Sequence, residues 1–303
     1  MGVPFRIVLY APDADSASAS AEAVYQRVAQ LNAILSDYDP DSEANRACHD
    51  TPVGQPVHVS PELWTMLDRS VAVSRATEGA FDCTIGPLVN LWRRARRHGA
   101  LPAETLITEA KARVGWERLR LDRRRRTVTF LAEGMRLDFG GIAKGYAADE
   151  AARVLRERGV NRFLVAAAGD IVAGDPPPGQ PGWRVEVGGS DATNAPPPRI
   201  AWLRRAAVST SGDLFQRLEI GGRRYSHILD PRTGIGLTDR SFVTVIARDA
   251  TTTDSLSTAV SVLGPERGLR LIERTPGASV LVLRVPEGRS DVEVLESRSF
   301  PAP

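Results

Sequence analysis

Residues 138–146 combine groups that bind anions in other proteins. Asp138 is followed by the adjacent glycines Gly140 and Gly141, and then by Lys144 at the start of a predicted helix. Paired glycines between a strand and a helix let a ligand approach the backbone, and the first helical turn offers unpaired N–H groups. Lys144 adds a point charge that suits phosphate. A structural Gly-Gly turn would explain the same residues, and the spacing matches neither a P-loop nor a Rossmann turn.

Residues 251–258 are rich in hydroxyl groups and contain one carboxylate. Asp254 and Thr258 are four residues apart, so they would share one face of a helix. A carboxylate and a hydroxyl suit a hard cation such as Mg²⁺, which also keeps water and phosphate ligands. The alternative is an ordinary helix N-terminus, where Ser, Thr and Asp concentrate because they cap backbone N–H groups.

One of the four histidines stands apart from the others. His227 lies in a polar turn after an apolar strand, unlike the rest, which are His49, His58 and His98. A histidine in such a place could act as a general base near neutral pH. The alternative is a ring that only hydrogen-bonds the Asp230-Pro231 turn.

Two further sets of residues could carry function. The stretch 79–92 places Phe81 and Asp82 beside Gly and Pro residues that are also typical of a plain turn. Arginines cluster at 93–97 and 123–126, but no aromatic residues alternate with them as a nucleic-acid stacking surface would require. A solvated surface is the better interpretation of both clusters.

The elements that must position these residues follow from periodicity, caps and turn residues. Short strands in hairpins, together with separate helices, predict an α+β fold with mainly antiparallel sheets. A turn-rich segment is expected over 38–55. The predicted strands cover 5–10, 118–122, 127–130, 135–138, 162–167, 183–187, 225–229, 242–247 and 279–283 with one more near 207, and the predicted helices cover 13–35, 61–76 and 144–158, one from about 253, and one ending near 274.

Composition excludes several classes of protein. The 303 residues carry 39 Lys and Arg against 37 Asp and Glu, and a net charge of +2 provides no broad field for a polyanion. No apolar run reaches the length of a membrane span. The two cysteines, Cys48 and Cys83, form neither a disulfide framework nor a thiolate metal site. We therefore expect a chain with no membrane span and no nucleic-acid partner.

Taken in order, these segments resemble the ApbE family, flavin transferases that move FMN from FAD onto a threonine of a partner protein. The resemblance runs from Met1 to about Arg274. It rests on a Met-Gly opening, a Tyr-Pro-Ser-Glu-Asn segment at 38–45, an Ala-Phe-Asp and Gly-Pro-Leu-Val-Asn-Leu-Trp block at 80–92, Asp-Phe-Gly-Gly-Ile-Ala-Lys-Gly-Tyr-Ala-Ala-Asp at 138–149, Gly-Asp at 169–170, Thr-Ser-Gly at 210–212, His-Ile-Leu-Asp-Pro-Arg-Thr-Gly at 227–234, and Asp254 with Thr258. One glycine of a Gly-Gly-Asp turn is replaced by Ala168, and the segment after Tyr38 is shortened.

The resemblance implies a T-fold-like α+β architecture and a role for each matching residue. It implies that one unit spans residues 1–303, with FAD and Mg²⁺ between two lobes. His227 would be the catalytic base, with Asp254 also essential for turnover. The implied FAD-binding residues are Met1, Tyr38, Phe81, Asp82, Asp138, Lys144 and Leu229, and the implied Mg²⁺ ligands are the Gly141 carbonyl, Asp254, Thr258 and Ser257.

The activity implied by the resemblance is Mg²⁺-dependent transfer of FMN from FAD to a threonine of an acceptor protein, with release of AMP. Two alternatives stay open: an FAD pyrophosphatase that gives FMN and AMP, and an FAD-binding protein without catalysis. The compartment is also open. The sequence as it stands suggests the cytoplasm, whereas a trimmed export leader would place the protein in the periplasm or on a membrane anchor.

Overall fold

The computed structural model describes residues 3–189, 195–212 and 217–301. Met1 lies outside the described residues, so its role stays a prediction. In chain order the elements are β1 (Phe5–Leu9), α1 (Ala14–Leu35), α2 (Glu43–His49), β2 (Pro56–His58), α3 (Pro61–Ala76), α4 (Gly86–His98), α5 (Glu104–Lys111), a 3₁₀ turn (Trp116–Arg118), β3 (Leu119–Asp122), β4 (Thr127–Phe130), α6 (Ala143–Glu157), β5 (Phe163–Ala167), β6 (Asp170–Ala173), β7 (Trp183–Val187), β8 (Arg199–Leu203), β9 (Ala206–Gly212), β10 (Arg217–Ile220), β11 (Arg223–Ser226), β12 (Leu229–Asp230), β13 (Ile235–Gly236), β14 (Arg240–Ala247), α7 (Ala250–Leu263), α8 (Pro265–Glu273), β15 (Ser279–Val285) and β16 (Glu293–Glu296).

The chain divides into two compact units. One comprises Met1–Leu31, Gly141–Gly212 and Ser241–Pro303, and the other comprises Asn32–Gly140 and Asp213–Arg240. We call them the sheet unit and the helical unit. The predicted location of FAD and Mg²⁺ relative to two lobes stays a prediction.

The sheet unit is built on seven strands in the order β1-β5-β6-β9-β14-β15-β16. The pairs β1–β5, β5–β6, β6–β9, β9–β14 and β15–β16 are antiparallel. Side chains alternate along β5, so that Phe163, Val165 and Ala167 are buried in the core. Helix α6 packs on β5 and β6, and α7 packs on β9 and on α6. These contacts fix the two helices that carry Lys144 and Asp254.

The helical unit combines α2 to α5 with a three-stranded antiparallel sheet, β2-β4-β3, and with two ribbons, β10–β11 and β12–β13. Helix α3 begins where the sequence predicts it, because Ser60 accepts a hydrogen bond from the Leu63 N–H and Pro61 occupies the first turn. Helix α4 buries Leu88 and Trp92 against a cluster that includes Leu229.

The predicted α+β class is confirmed, and most predicted elements lie within a few residues of the observed ones. The turn-rich prediction for 38–55 was wrong in part, because α2 lies inside it. This helix has seven residues and begins at a Ser42 cap, so it is too short to show an apolar period.

Three other predictions need correction. No strand covers 135–138: Arg136 makes one isolated bridge to Ile85, and the pairing stops because the partner segment turns into α4 at Gly86. The strand predicted at 225–229 is divided at His227 into β11 and β12. Helix α7 begins at Ala250, earlier than predicted, because Asp249 caps it.

Candidate active site

The N-terminus of α7 is held by two aspartates of the sheet unit. Asp149 accepts hydrogen bonds from the N–H groups of Ala250 and Thr251, both at 2.8 Å, and from the Thr251 hydroxyl at 2.5 Å. Asp249 accepts from the Thr252 N–H at 2.9 Å. Because free N–H groups at a helix start favour acidic partners, these carboxylates fix the direction of α7. The position of the next charged residue along α7, Asp254, depends on this anchor.

Helix α6 meets α7 at a position where only glycine can stand. A Cβ atom on Gly145 would lie 2.1 Å from the Ala250 carbonyl oxygen and 2.8 Å from the Asp254 Cβ. The Gly145 N–H instead donates to Asp254 Oδ2 at 3.0 Å. The first turn of α6 therefore presents its backbone donor directly to a buried carboxylate.

Lys144 lies between two buried carboxylates. Its Nζ is 3.2 Å from Asp254 Oδ1 and 3.5 Å from Asp170 Oδ2. Burial, followed by the Asp170 carboxylate, raises the pKa of Asp254 to about 7, although Lys144 and the Gly145 N–H oppose the rise. Burial lowers the Lys144 pKa, but the two carboxylates outweigh that effect and raise it above its usual value. We call Lys144, Asp170 and Asp254 the charged cluster.

Hydroxyl groups and a glycine border this cluster in the sheet unit. Ser211 Oγ lies 2.7 Å from Ser257 Oγ and 3.5 Å from Thr258 Oγ1. A Cβ atom on Gly141 would lie 2.8 Å from Thr258 Oγ1, so the backbone at Gly141 passes close to this hydroxyl. Of the four predicted metal ligands, the structure thus places Gly141 against Thr258, while Ser257 and Thr258 follow Asp254 by about one turn of α7.

The donor set fits Mg²⁺. Its members are carboxylate, hydroxyl and carbonyl oxygens, the hard ligands that this ion prefers, and Mg²⁺ commonly takes only one or two carboxylates plus waters and substrate phosphates. Ser257 is the weakest member, because its hydroxyl hydrogen goes to the Asp254 carbonyl at 2.9 Å and its contact with Ser211 Oγ at 2.7 Å therefore uses one of its lone pairs. Within residues 3–189, 195–212 and 217–301, no group of three or more His, Cys, Asp or Glu side chains is arranged to hold a metal.

In the helical unit, Tyr38 lies in a loop whose backbone carbonyls accept hydrogen bonds from a buried side chain. The buried Asn45 amide donates to three carbonyl oxygens of that loop, those of Ser36, Asp37 and Asp39, at 3.2, 3.3 and 2.7 Å. The Tyr38 side chain is 69% exposed. Its ring stacks on the Arg93 guanidinium, with Cζ 3.9 Å from the ring centroid.

Asp138 and Asp82 are buried and have backbone partners. Asp138 accepts from the Gly140 N–H at 2.8 Å, and burial, followed by the Asp37 carboxylate, raises its pKa to about 7. Asp82 accepts from the N–H groups of Thr84 and Trp116 and from the Thr84 hydroxyl. Phe81 is buried beside it. This geometry favours loop support by Phe81 and Asp82, and their assignment to the FAD site stays a prediction.

His227 and Leu229 flank the break between β11 and β12. His227 is exposed in the turn, and Ser226 Oγ accepts the Ile228 N–H at 3.1 Å to shape that turn. Leu229 is buried in the Leu88 and Trp92 cluster, so its side chain supports the turn from the core. The turn therefore exposes the imidazole to incoming molecules, while the buried Leu229 side chain holds the backbone of the turn in place.

Comparison with known proteins shows the family to which the chain belongs. A family model described as "ApbE family" matches residues 1–282. The chain belongs to the ApbE family. The resemblance stated from the sequence is confirmed.

Curated relatives and solved structures of the ApbE family match this chain over most of its length. The FAD:protein FMN transferase of Klebsiella pneumoniae (strain 342) is 33% identical over 299 residues, which are 95% of this chain and 83% of that protein. The apo flavinyl transferase ApbE of Pseudomonas stutzeri is 31% identical with a TM-score of 0.85, covering 98% and 92% of the two chains. The flavin transferase ApbE of Vibrio cholerae is 28% identical with a TM-score of 0.88, covering 99% and 95%.

Sequence reasoning missed three residues of this ApbE chain that the geometry brings to the fore. Asp170 was matched to a motif without a role, although a carboxylate after a hairpin turn could have been weighed as a partner of Lys144. Asp149 was also matched to a family motif, the one at 138–149, without a role. Arg93 was assigned to a solvated cluster, and no sequence signal links it to Tyr38, which is 55 positions away.

No helix among the described residues is long and apolar enough to cross a membrane.

Proposed function

We propose that this chain is an FAD:protein FMN transferase that transfers FMN from FAD to a threonine hydroxyl of an acceptor protein, with Mg²⁺ and with release of AMP. The observation that carries the proposal is the charged cluster beside Gly141 and Thr258, in a family whose curated relatives bear this name. An acceptor threonine and Mg²⁺ are part of the proposal.

The transfer is a displacement at the phosphorus of the FMN half of FAD. The threonine oxygen forms a bond to this phosphorus, the pyrophosphate P–O bond breaks, and AMP departs with the bridging oxygen. His227 takes the hydroxyl proton on its imidazole, a step that typically contributes a factor of roughly 10² to 10⁴ in rate. Its exposed place in the turn leaves room for a protein substrate.

The sheet unit supplies the groups that would stabilise the negative charge of the FAD phosphates. Asp254, Thr258 and the Gly141 carbonyl would hold Mg²⁺. When bound, this ion neutralises charge on the phosphoryl oxygens in the transition state. Lys144 adds a fixed positive charge at the first turn of α6, where the helix dipole also favours anions.

FAD pyrophosphatase activity is the second candidate. It uses the same displacement with water in place of threonine, and the observation that favours it is the exposure of His227, which leaves water free access to the base. An FAD-binding protein without catalysis differs from both, because it predicts no AMP.

One experiment separates the three. The chain is incubated with FAD and Mg²⁺, with and without an acceptor protein that carries a threonine target, and AMP, free FMN and covalent flavin on the acceptor are measured. The transferase proposal predicts covalent flavin, with AMP in equal amount and dependent on the acceptor. Free FMN formed at the same rate in both tubes supports the pyrophosphatase, and FAD binding with no AMP supports a binding protein. Asp254→Ala and His227→Ala should each abolish or strongly slow AMP release.

A further inference from the structure

The Tyr38 ring is held in one orientation although most of it faces solvent. An exposed tyrosine side chain usually exchanges between rotamers. Here the guanidinium of Arg93 covers one face of the ring, with Cζ 3.9 Å from the centroid, while the side chain as a whole stays 69% exposed. A cation over the face of an aromatic ring is attracted by its quadrupole. The stacking therefore fixes the plane of the ring.

Arg93 is itself held by two carboxylates and is largely shielded from solvent. Its NH1 lies 2.5 Å from Asp37 Oδ2 and its NH2 lies 3.6 Å from Asp138 Oδ2, and only 17% of the side chain is exposed. Its Nε is buried and has no hydrogen-bond partner among the residues that the structure describes. The arginine thus uses its terminal nitrogens for carboxylates and its flat face for the ring, a combination that lysine cannot provide.

The backbone below the ring is equally constrained. The three bonds from the Asn45 amide hold the carbonyls on both sides of Tyr38, and Ser42 caps α2 directly after the loop. A tyrosine held in this way has less backbone and side-chain freedom to lose when a ligand binds. Preorganisation of this kind raises affinity by removing the entropy cost of ordering.

Tyr38 is one of the residues that line a cavity of about 450 Å³. Asp37, Tyr38, Pro40, Asn45, Asn90 and Arg136 are among its lining residues, whereas Arg93 is not. This volume lies within the range of small-molecule sites, which is roughly 300 to 1,000 Å³. Tyr38 thus borders the cavity, and its ring also stacks on the partly buried Arg93.

We infer that Arg93 is a positioning residue, which holds the Tyr38 ring as a fixed stacking surface for a planar ring system of FAD. This inference rests on the proposed function. Isoalloxazine and adenine share the chemistry that the surface recognises, since both are flat aromatic rings that stack on tyrosine. Arg93 acts through Tyr38 and does not touch the ligand.

The test compares Arg93→Gln with the wild type and with Arg94→Gln, a neighbour on the same helix that is exposed and loses the same charge. Dissociation constants for FMN and for AMP are measured separately by calorimetry. Initial rates with FAD are measured in parallel, and melting temperatures check folding. Should Arg93→Gln fail to fold, Arg93→Lys replaces it, because it keeps the charge and loses the flat face.

We expect Arg93→Gln to weaken one of the two ligands by three- to tenfold and to leave the other unchanged, which identifies the ring that stacks. KM for FAD should rise by a similar factor while kcat stays within twofold, because the lost contact is the same in the ground state and the transition state. In a Tyr38→Leu background the same substitution should change affinity by less than twofold, since its effect passes through the ring.

Equal affinities in the wild type and Arg93→Gln would overturn the inference, as would an undiminished effect in the Tyr38→Leu background. An equal loss in Arg94→Gln would also overturn it, because general charge would then be the cause. A wild-type chain that binds neither FMN nor AMP and releases no AMP from FAD would instead count against the proposed function itself.

Discussion

The Lys144 ammonium lies 3.2 Å from Oδ1 and 3.3 Å from Oδ2 of Asp254, so a side-chain cation occupies the carboxylate that we propose as a Mg²⁺ ligand. Asp170 shares the same ammonium at 3.5 Å. Two buried carboxylates therefore depend on one positive charge. Since unpaired buried charges are costly, removal of Lys144 should make the two carboxylates bind another cation more tightly.

This relationship predicts the response of Lys144→Met to Mg²⁺. In chelator the variant should be less stable by about 3 kcal/mol, the range for breaking a buried pair. Added Mg²⁺ should then raise its melting temperature by more than it raises that of the wild type, because the ion replaces the lost charge and binding stabilises the folded state. Thermal unfolding in chelator and in Mg²⁺ measures both shifts.

Lys111→Met is the matched control, since Lys111 is the chain's other lysine and lies on α5. It should show the wild-type response to Mg²⁺. A Lys144→Met variant whose response is equal to or smaller than that of the wild type would contradict the idea that lysine and metal compete for Asp254.

Asp149 is predicted to matter more for stability than the other acidic residue at the start of α7. Asp149→Ala leaves two N–H groups, those of Ala250 and Thr251, without their acceptor in a buried place, at a cost of about 2–4 kcal/mol. Asp249→Ala removes one N-cap and should cost about 1 kcal/mol. Urea denaturation of both variants gives the comparison, and equal losses would show that Asp149 is not the main anchor.

How far the sequence predicts this molecule depends on whether the signal is local. Helix α3 was predicted over 61–76, the range observed, because its first-turn proline and its apolar spacing lie within one short stretch of sequence. A family resemblance joined the distant segments of Gly141, Asp254 and Thr258; the structure places Gly141 against Thr258, and their role as metal ligands stays a prediction. The stacking of Arg93 on Tyr38 was out of reach, since it arises when α4 and the loop before α2 meet, and no pattern in either segment encodes the other.

A substitution of Ala168 is predicted to stabilise the chain, in contrast to the substitutions of Lys144, Asp149 and Asp249. It has a left-handed backbone conformation, with φ of 55°, at the position where the family turn has a glycine. A left-handed conformation costs a residue with a Cβ roughly 1–2 kcal/mol, and glycine escapes this penalty. Ala168→Gly should therefore raise the free energy of unfolding by about 1 kcal/mol, less some unfolded-state entropy. The side chain is exposed, so no packing is lost. A destabilised variant in urea denaturation would show that the turn does not carry this strain.

The pH dependence of stability should reveal Asp138. Burial, followed by the Asp37 carboxylate, raises its pKa in the folded chain from 3.8 to about 7, although the Gly140 N–H and Arg93 oppose the rise. Between these values the folded chain binds a proton that the unfolded chain has lost, so the free energy of unfolding falls as pH rises. The stabilisation is fully present below about pH 4 and is lost as pH passes about 7.

Asp138→Asn has no group to titrate at this position and should lack that loss. Its stability relative to the wild type should therefore increase from pH 5 to pH 8, by on the order of 2 kcal/mol, as a shift of one pKa unit corresponds to about 1.4 kcal/mol. Denaturation followed by tryptophan fluorescence at several pH values measures this difference. The slope is the test, because the substituted side chain has no titratable proton, so its own contacts with Arg93 and Gly140 do not change with pH. A difference that stays constant across the range would mean that Asp138 is ionised throughout it in the folded chain.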